Sequence, residues 1–122
     1  LFLQKRSMTK DIQPGKWDTA VGGHIDFGET VHDALLREAR EELGLKGFTP
    51  EPLFSYVHES DIERELVNAF TAVVDESMIV IDPVEIDEGR FWTLPEIDAN
   101  IGKGVFTPNF ESEYLKLRAL WG

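Results

Sequence analysis

Between Val31 and Leu43 the chain runs thirteen residues without glycine or proline, and its apolar positions recur at a helical interval. At about 100° per residue Leu36, Ala39 and Leu43 share one face, while Glu38, Glu41 and Glu42 project from a stripe roughly a third of a turn away. Thr30 followed by Asp33 resembles a capping box, and Gly44 sits where a left-handed C-cap belongs, so a helix is predicted over 31 to 43. Elsewhere the pattern predicts a strand at 1 to 6, a basic loop, a short strand near 17 to 22, strands near 52 to 58 and 66 to 74, and another near 89 to 93. The imperfect, apolar-rich alternation from Glu65 to Val74 suits a central strand better than an edge. A last helix is predicted near 109 to 120, with Asn109 as its cap and Phe110, Tyr114 and Leu117 facing a core. Trp92 and Phe91 read as core rather than as a stacking surface. This order predicts an α+β fold with a central mixed sheet.

Composition narrows the picture. With 122 residues, 42% of them hydrophobic, the chain suits one small domain over 1–122, and no run of eighteen apolar residues is present to span a membrane. A net charge of −11 argues against a nucleic-acid partner, and would repel an anionic substrate unless cations intervened. The absence of cysteine rules out a disulfide framework and thiol chemistry, and agrees with a cytoplasmic location. His32 and His58 have no partner spacing that selects a role.

The acidic stripe is the first candidate chemistry. Like charges three and four apart on a helix cost about 0.2 to 0.5 kcal/mol per pair, and Glu38 faces both Glu41 and Glu42, so something positive is expected against them. Clustered hard oxygen donors suit Mg²⁺ or Mn²⁺. Gly22, Gly23 and Gly28 in the preceding loop let backbone approach a ligand closely.

Residues 23 to 45 read GHIDFGETVHDALLREAREELGL, and Gly23, Glu29, Arg37, Glu38, Glu41, Glu42, Gly44 and Leu45 stand in the register of the Nudix box, G-x5-E-x7-R-E-U-x-E-E-x-G-U. Ala39 departs from the bulky aliphatic residue at the first U. A chance match of the seven fixed charged and glycine positions has odds of roughly one in ten million per window or worse. The chain therefore resembles the Nudix hydrolases, which implies an α/β/α sandwich with one or more strands upstream of this sequence. The resemblance also implies metal bound by the Gly23 carbonyl with Glu38, Glu41 and Glu42, and a structural pair of Glu29 with Arg37.

A second likeness extends beyond the box. Lys5-Arg6, Lys10, Pro14-Gly15, Trp17, Gly23-His24 and Glu63-Arg64-Glu65 resemble type I isopentenyl-diphosphate isomerases and the Nudix hydrolases most similar to them. It implies Arg6 and Lys10 near a diphosphate, His24 at a metal, and Glu63 and Glu65 in metal binding or protonation. Each also has an ordinary reading as a solvated or structural residue. The isomerase reaction needs an acid/base thiol where this chain has Gly22, so the balance goes to a hydrolase.

The reaction expected is metal-assisted attack of water on a diphosphate, with Glu38 or Glu41 as general base and Glu85 or Glu88 as downstream candidates. The expected substrate is a small nucleoside-diphosphate-X or other organic diphosphate. The alternatives are an isomerase-like enzyme and a non-catalytic nucleotide-binding sensor. A homodimer agrees with the resemblance, since many relatives are dimers.

Overall fold

The computed structural model describes residues 1–8, 13–22, 25–59, 61, 64–84 and 86–121, with only the backbone of Glu65. The described chain forms two compact units, Leu1–Gly22 with Ile81–Gly122, and Gly23–Val80.

In the first unit β1 (Phe2–Arg6) is the middle strand of an antiparallel sheet, flanked by β2 (Trp17–Thr19) and β5 (Ile86–Phe91). Leu3 stands opposite Thr19 on one side and Arg90 on the other. β2 ends earlier than the sequence suggests, because the Ala20 carbonyl turns to accept from the Gln4 side-chain amide at 2.9 Å. A parallel bridge joins Trp17 to Phe106. Two helices complete the unit, α2 (Leu94–Asn100) and α3 (Pro108–Trp121).

The core of this unit is aromatic. Leu3, Trp17, Trp92, Ile97, Phe106, Phe110 and Tyr114 pack as one buried cluster. Trp92 meets Trp17 and Phe106 edge to face, each at 5.2 Å between ring centroids, an arrangement the ring quadrupoles favour. Phe110, Tyr114 and Leu117 are buried along α3, as its spacing predicts. The Tyr114 hydroxyl donates to Asp98 at 2.7 Å, and burial, then that bond, pushes its pKa up to about 12.

The sequence reading is corrected at two places. Thr107, not Asn109, caps α3: its hydroxyl accepts from the Phe110 amide at 3.1 Å, and Pro108 opens the helix, where a missing N–H costs nothing. The segment after Trp92, for which the pattern predicts no element, is helix α2. Thr93 and Glu96 cap it reciprocally, and Pro95 sits in its first turn.

In the second unit β3 (Glu51–Glu59) and β4 (Arg64–Thr71) form an antiparallel pair, placed beside α1 (Val31–Leu43) in chain order. Among the described residues β4 pairs only with β3, which corrects the expectation of a central strand. Along one face of the pair Leu66 is opposite Val57, both are exposed, and the next pair on that face is the exposed Glu59–Arg64 ion pair at 3.0 Å. On α1 the buried positions are Ala34, Ala39 and Leu43, so Leu36 lies at the edge of the apolar face rather than in it.

Candidate functional site

Helix α1 is fixed at both ends by its own sequence. The Thr30 hydroxyl accepts from the Asp33 amide at 3.1 Å, and Gly44 closes the helix at φ 63° with its amide directed to the carbonyls of the last turn. That φ is left-handed, and the Cβ of any other residue at 44 would meet Val80 at 3.2 Å.

Just before the cap, Asp26 to Glu29 form a tight turn. The Glu29 amide donates to the Asp26 carbonyl at 3.0 Å, the Asp26 amide donates to Glu29 Oε1 at 2.9 Å, and Gly28 takes φ 85°. Positive φ at the third residue is what a type II turn requires.

Arg37 joins this turn to the helix. It sits about two helical turns beyond Thr30, on the same side of α1, and a helical side chain leans toward the N-terminus. Its guanidinium therefore reaches back to Glu29. Nε donates to Oε2 at 2.8 Å and Nη2 to Oε1 at 3.0 Å, a bidentate pair in which each side chain is about four-fifths buried. These bonds hold the Glu29 carboxyl below the usual carboxylate range, helped by the Asp26 amide, and they hold Arg37 charged. Glu29 and Arg37, which the resemblance implies are partners, are thus paired.

The remaining donors of Arg37 meet other acids. Nη1 donates to Glu38 Oε1 at 2.9 Å and to Glu41 Oε2 at 3.2 Å, and Nη2 lies 3.2 Å from Asp26 Oδ2. One guanidinium is shared by four carboxylates. It is the positive group that the acidic stripe calls for, and it leaves the constellation negative. Asp26 was absent from the sequence reading; the signal was the Asp-x-Gly turn that precedes the cap.

The donor set fits a divalent cation in its chemistry. Glu38, Glu41 and Glu42 offer hard oxygen ligands from one helix, with a surplus of negative charge beyond what Arg37 compensates. Among the described residues no three acids or histidines stand together as a ready ion cage. Glu38 and Glu41 are instead turned onto Arg37. Their exposures differ, 19% for the Glu38 side chain and 55% for Glu41.

The other candidates divide by unit. Arg6 lies on β1 with Nη1 3.9 Å from Asp18, and Glu88 lies exposed on β5 opposite Lys5, so both belong to the first unit. Glu65 stands on β4 opposite His58. Lys10, Gly23, His24, Glu63 and Glu85 lie outside the described residues.

Comparison with known proteins places these residues in a family context. The model of the NUDIX domain matches residues 1–110. An uncharacterized Nudix hydrolase of Streptomyces coelicolor is 33% identical across 100% of this chain and 68% of its own length. An isopentenyl-diphosphate Delta-isomerase of Roseobacter denitrificans is 30% identical over 70% of this chain and 52% of its own. The crystal structure of DR0079 from Deinococcus radiodurans superposes with a TM-score of 0.80 at 26% identity, covering 95% of this chain and 73% of that one. A MutT protein from Methanosarcina mazei, at 20% identity, shares the fold with a TM-score of 0.73 over 97% of this chain and 82% of that one. Against the curated relatives named, and others of similar identity, the chain spans between about half and two thirds of their length.

Proposed function

The chain belongs to the Nudix family, whose members generally cleave diphosphate linkages, and from that premise we propose that it is a Mg²⁺- or Mn²⁺-dependent hydrolase of a small nucleoside-diphosphate-X or other organic diphosphate. The observation that carries the proposal is the Arg37 hub. It gathers Glu29, Glu38 and Glu41 at the box spacing, in a surplus of negative charge that a diphosphate approaches only with cations. Glu38, Glu41, Glu42 and the Gly23 carbonyl would hold the metal, which when bound supplies Lewis-acid polarisation and a more acidic water.

The chain's own residues then divide the work. Glu29 and Arg37 hold the loop against the helix, so that the acids keep their positions. A water adds to one phosphorus, the bridging P–O bond breaks, and the water's proton passes to a carboxylate. Between the two box candidates, the greater exposure of Glu41 favours it as the acceptor, with Glu38 kept against the guanidinium. Glu85 and Glu88 stand as the downstream alternatives, and Lys10 and Arg6 as partners for the leaving phosphate. His24, Glu63 and Glu65 are proposed as secondary metal or base groups.

The isomerase relative favours a second reading, action on a prenyl diphosphate without its hydrolysis. The chain has no cysteine to supply the thiol of that reaction. We propose the catalyst works in the cytoplasm on a small molecule, as a monomer or homodimer, without nucleic acid or membrane; no described helix is long and apolar enough to cross one.

The test is Glu41→Gln assayed on diphosphate compounds with Mg²⁺. A drop in kcat of about 10²- to 10⁴-fold with an unchanged melting temperature is expected for a general base. Full activity in the variant would remove Glu41 from that role.

A further inference from the structure

At the tip of the turn before α1 the ring of Phe27 stands wholly in solvent, 108% exposed, with Ile25 beside it at 50%. Phe27 occupies the corner between Asp26 and Gly28, a position that turns usually give to proline or a polar residue. It forgoes the burial that a phenyl ring normally gains on folding.

The backbone that presents the ring is tied down. The Asp26 amide bonds Glu29 at 2.9 Å, the Glu29 amide bonds Asp26 at 3.0 Å, and the Asp26 carboxylate is 3.2 Å from Arg37. Through that one guanidinium, the residue next to Phe27 shares a partner with Glu38 and Glu41. An apolar ring thus projects into solvent from a backbone turn that is tied, through Arg37, to the box acids.

We propose that Phe27 is a specificity-determining residue, whose ring receives the apolar group of an organic diphosphate while the phosphates engage the box acids. The inference rests on the hydrolase reading and adds the substrate class to it. A ligand with one apolar end and one phosphate end is complementary to an exposed phenyl ring on a turn that Arg37 ties to the box carboxylates. A diphosphate with a purely polar substituent gains nothing from the ring.

The experiment compares benzyl diphosphate with methyl diphosphate, in the presence of Mg²⁺, for the wild type, Phe27→Ala and Phe27→Leu. Because the ring stands wholly in solvent, the melting temperature is expected to stay unchanged in both variants. Phe27→Ala should raise KM for the benzyl compound about tenfold, the size of one aromatic contact, with kcat and the methyl KM unmoved. Phe27→Leu should recover part of that loss. A benzyl KM indifferent to Phe27, or an equal rise for both compounds, overturns the proposal and leaves the hydrolase reading standing.

A binding measurement separates the two ideas. Saturation-transfer NMR on the methylene-bridged analogue of benzyl diphosphate should show strong transfer to the phenyl protons with wild type and little with Phe27→Ala. If this pattern appears while neither diphosphate is turned over, the ring's role stands and the hydrolase reading fails. If there is neither transfer nor turnover, both fail.

Discussion

Arg37 and Arg90 carry the same guanidinium into opposite surroundings. Arg37 directs its N–H groups in the plane of the group, to Glu29, Glu38, Glu41 and Asp26. Arg90 instead places its Cζ 3.7 Å from the Trp92 ring centroid, while its Nη1 donates to the Phe91 carbonyl at 3.1 Å and to Glu96 at 3.3 Å. The first organises acids that outnumber it, and the second covers the rim of an aromatic core. The fork of Arg37 donors leaves part of the surrounding negative charge uncompensated, whereas the guanidinium over Trp92 completes packing. The same residue type thus gathers the acids of the candidate site in one unit and covers an aromatic core in the other.

Three substitutions would break or sharpen this contrast. The largest effect is expected in the core: Phe106 is 1% exposed between Trp92 and Phe110, so Phe106→Ala should cost about 3 to 5 kcal/mol in urea unfolding. A scaffold role requires that kcat per folded molecule stay near wild type.

A smaller effect, with a pH signature, is expected at Glu29. Its carboxyl is held below the ordinary value of 4.5 by Arg37, so the pair contributes stability that is fully present above that value. The contribution is lost as pH falls through the lowered value of the folded state. The melting-temperature gap between wild type and Glu29→Gln should therefore be constant near neutrality, begin to close below 4.5 and vanish on further acidification. A gap independent of pH would show that the pair is not the source of the stability.

The smallest effect belongs to Arg90. Its side chain is 38% exposed, and Arg90→Lys keeps the charge while losing the guanidinium over the Trp92 ring, at a cost of about 0.5 to 1 kcal/mol in chemical unfolding. A loss of catalytic activity beyond that small cost would place Arg90 in the functional machinery and dissolve the contrast.

What the sequence made legible follows from the range of the forces involved. The box helix is specified locally, by Thr30, a glycine-free run and Gly44, and its observed bounds agree with those read from the pattern. The Glu29–Arg37 pair was legible only through the resemblance to the Nudix box, which implies it; composition and helical periodicity alone do not select it. The partner count of β4 was not legible, since alternation reports which faces are buried and not how many strands lie alongside. Thr93 and Glu96 carried the signature of α2 in their spacing, and Pro108 carried that of the Thr107 cap. Both signals were outweighed by neighbours, the Leu94-Pro95 pair that reads as a turn and the Asn109 that reads as a cap. In the site, the turn of Glu38 and Glu41 onto Arg37 was hidden because which carboxylates a guanidinium selects depends on side-chain conformations and not on spacing alone.

The central claim is that this acid cluster serves the hydrolysis of a diphosphate. We would incubate the protein with Mg²⁺ and organic diphosphates, isopentenyl diphosphate among them, in ¹⁸O-labelled water, and identify the products by mass spectrometry. The account predicts cleavage of a P–O–P bridge with one labelled oxygen in one phosphate product, dependent on the metal. Conversion to an isomer with the diphosphate intact, or full recovery of every compound unlabelled, would contradict it.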